Sequence, residues 1–127
     1  MKKATKEFVK KLPLLLFVAK KILSYYRKFR SQAKWKNLGK EPRICLELGS
    51  GAKKGRNGWT TVDEAGSDIS WDLRDGIPLS NNSVEKIYTS HLLEHLPYDQ
   101  LILFLRECRR VLKVEGELSV CVPDFKF

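Results

Sequence analysis

The segment His91-Leu-Leu-Glu94-His95 brings two imidazoles and a carboxylate close together in sequence. Residues at i, i+3 and i+4 share one face of a helix, so these side chains could bind one divalent metal ion. Without a metal, His91 could act as a general base, because an imidazole titrates near pH 6.5. A structural interpretation is also open, in which Glu94 and His95 hydrogen-bond the following turn.

A second group of candidate residues surrounds a glycine turn. The apolar run Ile44–Leu48 is followed by Gly49-Ser50-Gly51, and the next apolar run ends at Asp63. Glycines let the backbone turn sharply after a buried strand and leave room for a ligand against the main chain. A carboxylate at the end of the next strand can accept hydrogen bonds from a ribose. This order predicts a site for a nucleoside cofactor.

Strands and one helix must position these residues. The predicted strands are Arg43–Leu48, Trp59–Asp63, Asp68–Trp71, Val84–Ser90 and Glu117–Val122. A helix predicted over Tyr98–Lys113 separates the last two. Because strand, helix and strand imply a parallel pair with a right-handed crossover, we expect an α/β fold with an open, mainly parallel sheet. Ligands of such sheets bind beyond the carboxyl ends of the strands, where the candidate residues fall.

In this order the motifs resemble class I S-adenosylmethionine-dependent methyltransferases, particularly a small bacterial group. The resemblance spans roughly Arg43 to Asp124 and rests on the glycine turn, Asp63, Trp71-Asp72-Leu73, Ile77-Pro78-Leu79, the Ser83–Leu96 segment and Arg110–Leu118. It implies a Rossmann-like sheet and S-adenosylmethionine as cofactor. The cofactor-binding residues that it implies are Glu47, Gly49, Ser50, Gly51, Asp63, Asp72, Leu73 and Ser90.

The resemblance also implies where these residues would act. Glu47, Gly49 and Gly51 would line the methionine end of the cofactor, Asp63 would bind the ribose, and Asp72 with Leu73 would lie beside the adenine. The alternative for Glu47 and Asp72 is that they are carboxylates at strand ends facing water.

The His91–His95 segment would follow strand four, beside the transferring methyl. Some related O-methyltransferases have Glu-x-x-Glu-His here and bind a divalent ion, whereas this chain has His91 in place of the first glutamate. Metal-assisted and metal-free catalysis by His91, Glu94 and His95 therefore both stay open. The segment also matches the H-x-x-E-H pattern of zinc peptidases, an alternative that leaves the glycine turn unexplained.

Two departures from the family pattern affect the expected fold. Only Gly49–Gly58 separates the first two strands, whereas a parallel crossover takes about a dozen residues or more and usually includes a helix. We expect a loop there, with Lys53 at the family's third glycine position, and an N-terminal helix covering the sheet face left open. The family usually adds two strands after Val122–Asp124, so we expect a truncated sheet in which strand five is an edge that favours homo-oligomerisation.

Charge divides the chain of 127 residues into two predicted domains, 1–40 and 41–127. The first contains 13 lysines and arginines but a single acid, Glu7, whereas the second contains 11 basic and 14 acidic residues. Apolar residues at helical spacing predict a basic amphipathic helix, followed by a linker over Lys34–Pro42. This arm could pack on its own domain or bind an anionic membrane surface. Nucleic acid is less favoured because no base-reading module accompanies the charge.

The cysteines bear on the compartment. Cys45, Cys108 and Cys121 are odd in number, lie in apolar runs and are predicted to be small buried hydrophobes without a disulfide framework. We therefore expect a reducing, cytoplasmic location, with attachment to the inner face of the membrane if the arm binds lipid.

The predicted function is S-adenosylmethionine-dependent O-methylation of a small-molecule or glycan acceptor. Such an in-line displacement requires alignment of cofactor and nucleophile and a group that removes the hydroxyl proton. The alternative is a truncated, non-catalytic relative that acts by binding or dimerisation.

Overall fold

The computed structural model describes residues 2–124, and in this part of the chain it contains two α-helices and five strands. The elements are α1 (Lys2–Leu38), β1 (Cys45–Leu48), β2 (Trp59–Asp63), β3 (Ile69–Ser70), β4 (Val84–Ser90), α2 (Tyr98–Val111) and β5 (Leu112–Cys121). Short 3-10 turns cover Leu73–Asp75 and Leu93–His95. The predicted bounds of β2 and β4 are confirmed, whereas β1 and β3 are shorter than predicted. Residues 1 and 125–127, at the ends of the two predicted domains, lie outside the described residues.

The strands form one parallel sheet in the order β3-β2-β1-β4-β5. The predicted Rossmann-like, parallel α/β architecture is therefore confirmed. Because the strands are parallel, the carboxyl ends of β1, β2 and β4 lie along the same edge of the sheet. Within the described residues β5 is an edge strand, and homo-oligomerisation through it stays a prediction.

The two faces of the sheet differ in character. Side chains alternate between faces along a strand, and the register places Leu46 and Leu48 on the same face as their partners Ile87 and Val62. These four residues are buried in one apolar cluster with Phe104, Cys108 and Val111 of α2. The opposite face carries Glu47, Tyr88 and Ser119 in one row, followed by Trp59, Lys86 and Glu117.

The C-terminal turns of α1 belong to this apolar core. Trp35 is 1% exposed and meets Trp71 edge to face, with ring centroids 6.2 Å apart. Ser31 Oγ donates to the Ser70 carbonyl at 2.6 Å, and Lys34 Nζ donates to the Asp68 carbonyl at 2.7 Å. The linker predicted from Lys34 was therefore wrong up to Leu38, because burial of Trp35 extends the helix.

These turns also occupy a different face of the sheet from the one expected. Trp35 packs in the cluster that contains the α2 residues. The order of the strands puts β2 and β5 on opposite sides of the β1–β4 pair, so right-handed crossovers would place a β1–β2 helix on the face opposite α2. We expected the N-terminal helix to cover the sheet face that the missing β1–β2 helix leaves open. For Ser31–Leu38 this expectation was wrong, because these residues pack on the face that α2 covers.

The structure separates the chain into two compact units, the first ending at Arg30 and the second beginning at Ser31. The predicted division at residue 40 stays a prediction. In the first unit, large apolar side chains of α1 such as Phe8, Leu15, Ile22 and Phe29 are exposed. Among the described residues, no helix is both long and apolar enough to cross a membrane.

Strand β5 begins five residues before its predicted start. Its first residue, Leu112, pairs with Val84, and Glu117 pairs with Lys86, so the register shifts by three residues between these two pairs. Pairing with β4 thus places in a strand several residues whose local sequence predicts the end of a helix. The strand ends at Cys121, which is exposed, whereas Cys45 and Cys108 are buried. The prediction of a buried Cys121 was wrong because it lies on an edge strand.

Candidate functional site

A cavity of about 750 Å³ lies at the carboxyl ends of the strands. Its lining includes Gly49 after β1, Asp63 at the end of β2, and Asp72 and Leu73 after β3. Four residues predicted to act together are thus brought to one cavity from three separate segments. Its volume lies within the range of about 300–1,000 Å³ that is common for small-molecule sites.

The glycine turn has the backbone geometry that its residues predict. Gly49 and Gly51 have φ of +68° and +71°, in the left-handed region that favours glycine. The Gly49 N–H donates to the Val62 carbonyl at 2.8 Å, and the Gly51 N–H donates to Asp63 Oδ2 at 2.7 Å. A Cβ atom on Gly49 would come within 3.0 Å of the Leu92 side chain, so a larger residue would be strained and crowded.

Asp63 joins the glycine turn to strand β2. Besides the Gly51 N–H, its carboxylate accepts the Glu64 N–H at 2.6 Å through Oδ1. Each carboxylate oxygen has a second lone pair. Asp63 can therefore hold the turn and still accept a hydrogen bond from a ligand hydroxyl.

Asp72 has a structural role as well as a position in the cavity. It caps the Leu73–Asp75 turn by accepting the Arg74 N–H at 2.9 Å, and it pairs with the Arg74 guanidinium at 2.7 Å. The hydrogen bonds and charge of Arg74 lower the pKa of Asp72. Most of its hydrogen-bonding capacity is thus used within the loop, which leaves fewer lone pairs for an adenine.

Glu47 faces a different cavity. It lies on the sheet face opposite the apolar cluster, where its Oε1 is 2.7 Å from Lys53 Nζ. Both residues line a second cavity of about 860 Å³, together with Trp59 and Tyr88. The glutamate that the resemblance places at the methionine end of the cofactor is paired here with the lysine at the third glycine position.

Three other predicted cofactor-binding residues lie beside the first cavity without lining it. Ser50 and Gly51 continue the turn after Gly49, and Ser90 ends β4 two residues before the lining residue Leu92. The Ser50 hydroxyl donates to the Gly51 carbonyl at 3.0 Å. These positions border the site, and their predicted roles stay predictions.

The expectation that His91, Glu94 and His95 share a helical face was wrong. His91 has a φ of +54° and lies between β4 and a 3-10 turn that covers only Leu93–His95. Glu94 Oε1 is 3.5 Å from His91 Nδ1 and 3.9 Å from His95 Nε2, and both histidines are exposed. No group of three histidine, cysteine or acidic residues in the described part of the chain is arranged to hold a metal ion. The metal site and the zinc peptidase are therefore not supported.

Helix α2 supplies cavity residues that the sequence interpretation missed. Gln100, Leu103, Phe104 and Glu107 all line the cavity, and their spacing of i, i+3, i+4 and i+7 places them on one helical face. That spacing was available in the sequence. Recognising it as a site required knowing that α2 packs beside the carboxyl ends of the strands. Leu92 and Leu96, which follow β4, add apolar lining.

Glu107 fixes α2 against the loop that follows β3. Its Oε2 accepts the Ile77 N–H at 2.8 Å, and its Oε1 accepts from Arg110 Nε at 2.7 Å. Arg110 in turn donates to the Leu79 carbonyl at 2.8 Å. The hydrogen bond from Arg110 is the main effect that lowers the pKa of Glu107. This network holds one wall of the cavity in place.

Comparison with known proteins agrees with this fold. A family model described as a methyltransferase domain matches residues 46–120. The structure of a proposed S-adenosyl-L-methionine-dependent methyltransferase from Methanococcus maripaludis is similar, with a TM-score of 0.51 and 15% identity over 89% of this chain. At this identity the likeness describes the fold, and this chain spans 63% of the length of that protein. Among curated protein sequences, none matches significantly.

Proposed function

Because this chain belongs to the methyltransferase-domain family, we propose that it transfers a methyl group from S-adenosylmethionine to a hydroxyl of a small-molecule or glycan acceptor. The observation that carries the proposal is the convergence of Gly49, Asp63 and Leu73 on one cavity beyond the strand ends. Such a position is the general ligand site of open parallel sheets.

The residues of the cavity fit the chemistry of this cofactor. Its lining includes five carboxylates and two guanidinium groups: Asp63, Glu64, Asp72, Asp75, Glu107, Arg74 and Arg106. Asp72 and Glu107 are paired with Arg74 and Arg110, and the three remaining carboxylates outnumber Arg106, so a net negative charge remains that favours a sulfonium cation. Leu73 and Phe104 provide apolar surface on which a purine ring can pack. Bound S-adenosylmethionine would supply a methyl group on a positively charged sulfur, from which an in-line nucleophile can take it.

The chain's own residues would align the reactants and remove one proton. Asp63 would hold the ribose hydroxyls while it anchors the Gly51 N–H. His91, which directly follows β4, would accept the proton of the acceptor hydroxyl. Glu94 lies 3.5 Å from His91 Nδ1 and would orient the ring, which leaves Nε2 as the base.

Calorimetric titration of the protein with S-adenosylmethionine, and with its demethylated product, tests the cofactor site. Replacing Asp63 by alanine should weaken binding roughly 10- to 100-fold, because a hydrogen bond to a charged group contributes about 1.5–3 kcal/mol. Asp75→Ala is the matched control, since it removes one lining carboxylate that we assign no ribose contact. Equal losses in the two variants would show that only general charge matters and would contradict the assignment of Asp63.

Gly49→Val tests the turn itself, because valine at a φ of +68° is strained and would crowd Leu92. We expect loss of cofactor binding in a variant whose circular dichroism remains native. Undiminished binding would exclude Gly49 from the site.

Transfer of labelled methyl from S-adenosylmethionine to a panel of hydroxyl acceptors tests catalysis. His91→Ala should abolish transfer while leaving cofactor affinity within about twofold, since we assign His91 to the acceptor. Cofactor binding without transfer to any acceptor would instead favour the non-catalytic relative. That alternative has one structural observation in its favour, because the carboxylates of Asp63 and Asp72 already hold internal partners.

A further inference from the structure

The segment of α1 between Lys3 and Arg30 belongs to the first compact unit, and its surface has no role in the function proposed above. Every residue of it is exposed, including the large apolar side chains Phe8, Leu15, Ile22, Tyr26 and Phe29. Ile22 is 64% exposed and Phe29 is 70% exposed. Monomeric proteins seldom leave so much contiguous apolar surface in water, so such a patch indicates an interaction site.

The apolar and basic side chains of this helix are biased toward opposite faces, with Lys11 and Arg30 on the apolar face and Phe17 among the lysines as exceptions. At 100° per residue, Leu12, Leu15, Ile22 and Tyr26 centre on one direction, and Lys6, Lys10, Lys20 and Lys28 centre roughly 170° away from it. Nine basic residues and one acid, Glu7, lie between Lys3 and Arg30. From Phe8 to Phe29 the apolar face is about 32 Å long.

We propose that this segment, the amphipathic arm, binds an anionic lipid bilayer in the plane of its surface. Its apolar face would enter the boundary between headgroups and acyl chains, and its lysines would contact acidic headgroups. Tyr25 and Tyr26 suit this depth because a phenol has an apolar ring and a polar tip. We choose an anionic bilayer as the partner because its negative surface charge is opposite to the positive charge of the arm.

Charge and exposure disfavour the other partners. Two copies joined through their apolar faces would bring together two segments of net charge +8, which repel each other. Nucleic acid would use the lysines but leave Leu15, Ile22 and Phe29 in water. An anionic bilayer accommodates both faces at once.

Flotation of the full chain with lipid vesicles tests the proposal. We expect binding to vesicles of phosphatidylcholine mixed with phosphatidylserine, little binding to phosphatidylcholine alone, and weaker binding at high salt, which screens charge. No binding to acidic vesicles, or equal binding to both kinds, would overturn it.

Two matched substitutions distinguish the contributions of the apolar and basic faces to vesicle binding without changing the charge of the arm. Ile22→Gln removes an apolar side chain from the apolar face, and Ser24→Gln places the same residue on the basic face. We expect about a tenfold loss of vesicle affinity for the first and less than a twofold change for the second. Lys21→Gln should weaken binding about fivefold, the equivalent of about 1 kcal/mol per basic residue. Equal effects at Ile22 and Ser24 would overturn insertion of the apolar face.

The competing partners give distinct results. Sedimentation velocity without lipid would show a dimer that Ile22→Gln dissociates, if a second copy covered the apolar face. A labelled single-stranded oligonucleotide would bind with an affinity that Ile22→Gln leaves unchanged, if the arm bound nucleic acid. Either result, in a protein that does not bind acidic vesicles, overturns the proposal. Circular dichroism of each variant establishes that the helix is retained.

Discussion

The two buried tryptophans offer a sharp test of the packing beneath the cavity. Trp35 and Trp71 contact each other edge to face and are 1% and 9% exposed. Their indole N–H groups differ: Trp71 Nε1 donates to the Gly76 carbonyl at 2.8 Å, whereas Trp35 Nε1 has no acceptor among the described residues. The same substitution, tryptophan to phenylalanine, should therefore have different costs at the two positions.

The size of the difference follows from the hydrogen bonds. Both variants lose the same atoms, so the packing loss largely cancels between them. Trp35→Phe also removes a buried donor without an acceptor, which recovers about 1–3 kcal/mol of desolvation free energy. Trp71→Phe instead loses a hydrogen bond with a net contribution of about 0.5–1.5 kcal/mol. We expect Trp71→Phe to be less stable than Trp35→Phe by about 2–4 kcal/mol.

Urea unfolding followed by circular dichroism measures this difference, because the signal does not depend on the tryptophans being replaced. Trp59→Phe, at a partly exposed strand position, serves as a reference for the substitution itself. Equal losses of stability in the Trp35 and Trp71 variants would refute the reasoning and show that the Trp35 indole N–H is satisfied.

Two further predictions concern ionisable groups. The folded-state pKa of Glu107 is lowered from its ordinary value of 4.5, so the stabilisation it provides is present above that pH and is lost as pH falls through the folded pKa. Glu107→Gln should therefore be less stable than wild type at neutral pH, and the difference should shrink in acid; a difference independent of pH would contradict this. In a thiol titration, exposed Cys121 should react rapidly, whereas Cys108, whose pKa burial raises to about 12, and buried Cys45 should react only on unfolding. Rapid reaction of more than one thiol per native chain would contradict the burial of the other two.

Strands β2 and β4 could be predicted from the sequence because their signals are local. Trp59–Asp63 and Val84–Ser90 are β-rich runs preceded by turn residues, and the structure has the same bounds. The glycine turn was equally clear, since Gly49 and Gly51 occupy backbone conformations that other residues rarely adopt. Such features depend on neighbours within a few residues.

Other features depended on residues far away in the chain. Trp35 lies in a stretch with linker-like composition, and its burial beside Trp71 extends α1 to Leu38. The start of β5 at Leu112 depends on pairing with β4. The helical face assigned to His91 and Glu94 does not form, because His91 turns the chain with a positive φ at the end of β4.

The sequence by itself determined the α/β class, the glycine turn and the residues at the end of each strand. The spacing of apolar residues, the conformational freedom of glycine and the order of the elements along the chain can all be read directly from the sequence. Only the tertiary structure decided which of those residues share a cavity. It put Gly49, Asp63 and Leu73 together, turned Glu47 toward Lys53 on the other sheet face, and added one face of α2. Such proximity is set by the register of the sheet and the packing of α2, to which residues separated by many positions in the chain contribute.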